Sequence, residues 1–372
     1  MLERISSKLR QALYARKRQG AFQRPFDQSA ARKLLLLSVD HRIPQSQLFP
    51  FHYYAGALRR DLDMDVREVV AENYGVEGHP KNATTVCFQT QFDIPDDALV
   101  TLVARIRARN PRARLVYLDW FAPTDLRLAA RVGPFVDAYV SKHLLRDRAQ
   151  YGAPTFGDTT LMDHYGRAFG LDHVEQQFPV PGAFRDKLHL GPSFATADFM
   201  LPVFDRGARP KGARPIDLHA RIAVGGTPWY AGMRAGCAAA VDALAGVSCV
   251  TGTGIRHEVF LAEMRASKLC FSPFGYGEVC WRDYEAVMTG AVLIKQDMSY
   301  VETDPDIFVP GETYVPVRWD LGDFGDVVRG LLADAPRRER IAAAAFERLA
   351  EYARSGRFVE QMRAVIAPDA GP

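Results

Sequence analysis

The chain reads as an α/β protein built from two βα domains, each around a parallel sheet. Between residues 33 and 140, short continuous apolar runs alternate with helical segments. Strands that are apolar on both faces and separated by helices belong to parallel sheets with crossover connections. A second alternation starts near residue 220. Between the two lies Asp205–Asp217, DRGARPKGARPID, rich in Gly, Pro and basic residues, with nothing apolar larger than Ala before Ile216. That composition marks a linker or exposed loop.

The elements follow in order. Residues 1–24 form a basic amphipathic segment: Leu2, Ile5, Leu9, Leu13 and Tyr14 recur at helical spacing among Arg4, Lys8, Arg10, Arg16, Lys17 and Arg18. Such a helix lies on an anionic membrane surface, or the segment docks on the protein body or frays as a tail, and these readings stand side by side. Lys33–Val39 is a buried strand, followed by a helix over Pro50–Leu62. Val66–Val70, Thr85–Phe88, Arg114–Leu118 and Phe135–Val140 are further strands. Asp96–Arg109 is a helix with acidic residues at its start and Asn110-Pro111 at its end. Residues 151–204, rich in Phe, Gly and Pro, have no clear period. After the linker come a strand at Ala220–Val224, a helix near Gly232–Leu244, a strand at Val247–Thr251 and a helix at His257–Ser267. Residues 336–366 are helical.

The richest segment is 268–297. A buried strand, Leu269–Phe274, enters the turn Gly275-Tyr276-Gly277. A helix over Glu278–Thr289 follows, capped by Gly290, and a second buried strand covers Ala291–Lys295. On that helix Glu278, Arg282 and Glu285 fall at i, i+4 and i+7, on one face. Taken alone, charges at that spacing are a solvated face with weak ion pairs. Their place at the carboxyl end of a strand changes the reading, because open α/β sheets bind ligands there. A helix N-terminus suits a phosphate, an arginine grips it through two N–H groups, and a carboxylate accepts hydroxyl donors. The pattern therefore describes a nucleotide-sugar pocket.

The segment resembles the donor-binding core of GT-B glycosyltransferases, especially the exostosin-like and bacterial spore-coat-type branches. The matching positions are Gly275, Gly277, Arg282, Glu285, Ala286, Gly290 and the strand 291–294. The resemblance covers residues 220–320 well and the N-terminal half in architecture only. It implies a GT-B fold: two Rossmann-like domains facing across a cleft, with an acceptor-side domain at 25–205, a linker at 206–218 and a donor domain at 219–335. Helices over 336–372 would end by crossing back to the N-terminal domain. It also implies that Arg282 contacts the donor diphosphate and Glu285 the ribose or sugar. The usual pattern separates two glutamates by seven residues, whereas Glu278 and Glu285 have six between them and Gly277 holds the first position. The family role of the first glutamate is thus not carried to Glu278, which stays a donor-side candidate by its helical face alone.

Other candidates come from strand ends. Gly225-Gly226-Thr227 with Arg234 forms a small-residue turn and a basic residue suited to phosphates, or simply a tight turn. Arg256 and His257 follow Thr251–Gly254, where the resemblance implies that Arg256 or His257 contacts the base, with Thr253 or His257 as the start of the next helix the alternative. On the acceptor side Asp40 and His41 directly follow the first strand, where an inverting transferase needs a base. A structural role, capping or pairing Asp40 with Arg42, is equally open. Asp119 with Trp120, and Lys142 with His143, are further strand-end candidates. No Asp-x-Asp triplet stands at a strand end, so metal-independent transfer is expected, with no cofactor beyond the nucleotide-sugar co-substrate.

Composition narrows the class. Lysine plus arginine number 47 against 44 acidic residues, a formal charge of +3, too small to point to nucleic acid, which is excluded as a partner. No apolar run reaches the roughly 18–20 residues of a membrane span. No apolar signal core opens the chain, and the five cysteines show no metal-ligand spacing. The expectation is a cytoplasmic glycosyltransferase of bacterial glycan biosynthesis, peripheral at the inner membrane face if residues 1–24 bind there. It would use a glycan, lipid-linked or protein acceptor. The alternatives are a catalytically silent GT-B-like module that binds a glycan or partner protein, and a nucleotide-sugar epimerase or phosphorylase on the same architecture.

Overall fold

Two parallel sheets organise the protein in a computed structural model that describes residues 23–368. All but the last two residues of the amphipathic segment 1–24 lie outside the described residues. The first sheet takes β1 (Arg32–Ser38), β2 (Met64–Val70), β3 (Thr85–Phe88), β4 (Arg114–Asp119) and β5 (Ala138–Ser141). β6 (His143–Leu145) leaves it, and β7 (Leu188–Leu190) closes the edge in the order β2-β1-β3-β4-β5-β7. Every pairing is parallel, with Leu34 beside Thr85 and Val66. β1 passes between two strands with both faces covered, which is why it carries four leucines in a row without solvent contact.

The second sheet runs β9-β8-β10-β11-β13, also parallel, from β8 (Ile216–His219), β9 (Cys249–Val250), β10 (Ser267–Phe271), β11 (Val292–Gln296) and β13 (Val315–Val317). β12 (Val301–Thr303) leaves this sheet and pairs antiparallel with β6, Val301 opposite Leu145, which ties the two lobes together. The strand expected at Ala220–Val224 lies four residues earlier, at β8, overlapping the end of the expected linker. Leu218 and His219 are fully buried between β9 and β10, while Val224 is exposed. Tertiary burial of a histidine, which the pattern reads as polar, moved the boundary.

Besides a single turn at Ala129–Val132, the helices are α1 (Arg42–Tyr53), α2 (Ala55–Leu62), α3 (Asp96–Arg109), α4 (Thr160–Ala168), α5 (Leu201–Arg206), α6 (Pro228–Asp242), α7 (His257–Arg265), α8 (Trp281–Thr289), α9 (Phe324–Ala333), α10 (Ala335–Arg354) and α11 (Arg357–Ile366). The helix expected from Pro50 thus begins eight residues sooner, where the His41 ring accepts from the Ile43 amide as N-cap. The unassigned stretch 151–204 holds α4, capped by Thr159, and supplies Leu161, Tyr165, Phe194 and Phe204 to the core of the second sheet. α11 packs Phe358, Met362 and Ile366 on Leu34, Leu36 and Val116 of the first sheet. Thr85 Oγ1 donates to the Ile366 carbonyl at 2.8 Å. Each such buried Leu, Ile, Phe or Met stabilises by roughly 2 kcal/mol.

The lobes also meet backbone to backbone. A Cβ built on Gly277 would stand 1.7 Å from the Ala122 carbonyl oxygen across the junction. Beside it the buried Glu278 carboxylate accepts from the Thr124 amide and hydroxyl, at 3.1 and 2.7 Å. Glycine is required here by close approach. Gly277→Ala is expected to destabilise the protein by about 2 kcal/mol or more in urea denaturation. Gly330→Ala, in helix α9 with nothing within 4 Å, should lose nothing by the same measurement.

Candidate functional site

β8 has β9 on one side and β10 on the other, so the chain reverses direction across the sheet there. A crevice opens outside the carboxyl ends of strands at such a point. Two loops border it: 220–227 after β8 and 272–280 after β10. The second is fixed from below. Lys295 and Asp283, without solvent contact, lie 3.1 Å apart. Asp283 also accepts from Ser272 Oγ at 2.5 Å and from the Cys280 amide at 2.8 Å, the latter half of a capping box that starts α8. Lys295 donates to the Ser272 carbonyl. Strand end, turn and helix start are thereby held to one buried ion pair.

Above that pair lies a pocket of about 280 Å³ lined by Tyr230, Arg234, Phe260, Ser272, Gly275 and Arg282, with Pro273, Cys280, Trp281 and Glu285 completing it. Arg282 is half-buried. Its Nε is buried with no hydrogen-bond partner, and its guanidinium carbon rests 5.4 Å over the Phe260 ring. It forms no ion pair among the described residues. A buried donor without an acceptor is costly, so the Arg282 guanidinium keeps unused hydrogen-bonding capacity at the pocket. Glu285, one turn on and 6 % exposed, holds the His257 ring nitrogen at 2.6 Å through Oε1. Another cavity, of about 530 Å³, is lined by Arg146, Arg348 and Arg357, but these pair with Asp306, Glu312 and Asp304. Arg282 in the smaller pocket has no such partner among the described residues.

The other donor-side candidates divide. Arg234 is buried in the pocket wall, donating to the carbonyls of Ala223 and Phe274 at 3.1 and 3.0 Å. Tyr276, exposed, stacks on Tyr230 at 4.2 Å, and its hydroxyl takes the Thr227 amide at 3.3 Å. Gly226, at φ +102°, would push a Cβ to 2.4 Å from that hydroxyl. Thus Gly226, Thr227, Arg234, Gly275, Tyr276, Arg282 and Glu285 come together. Gly277 and Glu278 do not. Helix α8 starts at Trp281, three residues later than its expected start, so Glu278 is off the helical face and serves the lobe junction. Arg256 caps α7 from an exposed position outside the pocket lining, and its neighbour His257 makes the contact instead.

On the facing lobe Asp40 and His41 are exposed at the end of β1, with the His41 ring 6.4 Å from Trp120. Asp119 is a core group, accepting from the Phe121 amide and the Tyr139 hydroxyl at 2.9 and 2.7 Å, and burial raises its carboxyl. Lys142 is equally buried, donating to the Trp120 carbonyl at 2.7 Å. Burial pushes the neighbouring His143 down to about 3. Neither strand-end pair offers a solvent-facing base. Trp281 and Phe199, absent from the candidates above, stack at 5.2 Å and 11° beside the pocket. Only the adjacency of Trp281 to Arg282 could have hinted at this.

No protein-family model matches the chain, and no curated protein matches it by sequence. Solved structures do. An alpha-glucosyltransferase in complex with UDP is 9 % identical at a TM-score of 0.50, covering 90 % of this chain and 99 % of its own. Alpha-glucosyltransferase with UDP-glucose and DNA containing an abasic site is 7 % identical at 0.50, covering 92 % and 99 %. The same kind of enzyme with UDP and a 13-mer DNA containing an HMU base is 8 % identical at 0.50, with 92 % and 99 % covered. At such identities the likeness establishes the fold, and the chain has the GT-B fold of two facing α/β lobes. The DNA in two of these complexes overturns the exclusion of nucleic acid as a partner: a net charge of +3 is no bar to it on this fold.

His219, buried behind Phe260, has neither ring nitrogen hydrogen-bonded. Burial, with the Arg282 charge adding to it, pushes this imidazole from 6.5 down to about 4. Between those values the unfolded chain binds a proton that the folded chain refuses. The His219 contribution is therefore complete above pH 6.5 and lost as pH falls towards 4. Urea midpoints at pH 7 and pH 5 should differ less for His219→Gln than for the parent. His143 leaves some slope in both.

Proposed function

We propose that this GT-B chain is a glycosyltransferase that moves a sugar from a nucleotide-sugar donor to an acceptor hydroxyl. One observation carries the reading: the Arg282 guanidinium, with its buried and unpartnered Nε, lies in a pocket at the start of α8. As the glycosidic bond breaks, negative charge grows on the diphosphate. A guanidinium and first-turn amides aimed at that charge stabilise the transition state more than the ground state. Glu285, steadied by His257, accepts donor hydroxyls through its remaining capacity. UDP and UDP-glucose in the similar structures support a nucleotide-sugar ligand for this site.

In this reading the transfer is metal-independent and needs no further cofactor, because Arg282 and the helix start neutralise the leaving group. Hydroxyl-bearing DNA joins the acceptors to be tried, since similar enzymes are held on DNA. The exostosin-like branch, bacterial glycan biosynthesis and a cytoplasmic location belong to the same reading, and the branch rests on Arg282, Glu285-Ala286 and Gly290. Among the described residues no helix is long and apolar enough to cross a membrane.

A thermal-shift panel of UDP-, GDP-, ADP-, CMP- and dTDP-sugars should single out one donor class. A ligand at a hundred times its Kd stabilises by about 2.7 kcal/mol. With that donor, Arg282→Ala should lower turnover at least about 100-fold while circular dichroism stays unchanged. Wild-type turnover by the alanine variant would sink the phosphate role. Product formation should persist in EDTA, and a rate restored only by added divalent metal would overturn metal independence.

A further inference from the structure

Arg42 stands at the first position of α1, exposed, on the lobe that faces the pocket. Its guanidinium carbon lies 5.2 Å from the Phe199 ring centre and 5.1 Å from that of Trp281. Those rings stack on each other, and Trp281 walls the pocket next to Arg282. Each lobe thus places an arginine on an aromatic face, Arg42 on Phe199 and Trp281 and Arg282 on Phe260. Neither guanidinium donates a hydrogen bond or forms an ion pair among the described residues, although each has five N–H groups. Asp198, beside Phe199, is close enough for its carboxyl to feel Arg42 but beyond ion-pair distance. Two unneutralised cations beside half-buried aromatic surface call for an anion with more than one charged end. Size points the same way: about 280 Å³ is at the small end for a ligand pocket, so a nucleotide-sugar must extend beyond the Arg282 lobe.

We propose that Arg42 is a donor-binding residue which, with Arg282, clamps the diphosphate from the opposite lobe, so that the phosphate site is complete only across the cleft. The inference rests on the glycosyltransferase reading above and adds to it a second cation from the acceptor-side lobe. A pyrophosphate unit presents separated anionic groups that two guanidinium forks can take at once, whereas a single phosphate engages one.

The test compares the parent protein with Arg42→Ala, Arg42→Lys and Arg282→Ala, using inorganic pyrophosphate, inorganic phosphate and UDP as probes in calorimetry. Arg42 is exposed at a helix start and loses only its ring contacts, so the unliganded melting temperature of Arg42→Ala should fall by no more than a few degrees. Its affinity for pyrophosphate and UDP should fall at least tenfold, affinity for inorganic phosphate should change less than threefold, and Arg42→Lys should recover part of the loss. If Arg42→Ala binds pyrophosphate and UDP like the parent while Arg282→Ala does not, the donor lobe holds the diphosphate alone and the inference falls while the broader reading survives. Intact diphosphate binding with a raised acceptor KM would assign Arg42 to the acceptor and also overturn it. If the parent binds neither pyrophosphate nor UDP, and no donor from the panel, the glycosyltransferase reading itself fails.

Discussion

Beneath the 272–280 loop, a lysine and an aspartate with no access to water hold the site in shape. Breaking a buried pair by removing one partner costs roughly 3–5 kcal/mol, because a lone charge then remains in the interior. Lys295 and Asp283 have little freedom to move, and neither do the groups bonded to them: Ser272 at the end of β10 and Cys280 at the cap of α8. Between these fixed ends the turn can take one course. It carries Gly277 against Ala122 on one side and delivers Arg282 to the pocket on the other. The lobe junction and the pocket are two faces of the same staple.

Aromatic surface does the rest of the electrostatic work. Arg282 over Phe260 and Arg42 over Phe199 and Trp281 are held by ring faces in place of carboxylates. A ring face attracts a cation by about 0.5–2 kcal/mol without neutralising its charge. That leaves the guanidinium N–H groups free for a ligand. A carboxylate in the same place would fix the arginine equally well and compete with any phosphate. The contrast with the 530 Å³ cavity, whose arginines are paired, makes the same point.

Much of the site was legible where function and local structure share one segment. Arg282, Glu285 and Gly275 come from one stretch of helix and turn, so their spacing alone placed them together. Gly290 read correctly as the helix cap because its left-handed backbone, φ +77°, is a local property. Legibility failed at Glu278. Nothing in its neighbours says that the helix waits for Cys280, because that start depends on Asp283 being drawn to Lys295 twelve residues away. Arg42, Phe199 and His257 went unnoticed or undervalued for a related reason. Their importance comes from partners on other elements, and each taken alone is an ordinary surface residue.

Sequence by itself determined the parallel sheets and the strand–turn–helix–strand unit at 268–297. Runs such as Leu34–Leu37 and Val292–Ile294 fit only strands covered on both faces, and that information is contained in a few consecutive residues. Tertiary structure decided the rest: the true start of the second sheet at Ile216, the seating of residues 160–204 on the second lobe's core, and which charges remain unpaired. Pairing and burial are set by distances between residues far apart in the chain. A guanidinium becomes a ligand site only when the fold has left it with no partner of its own.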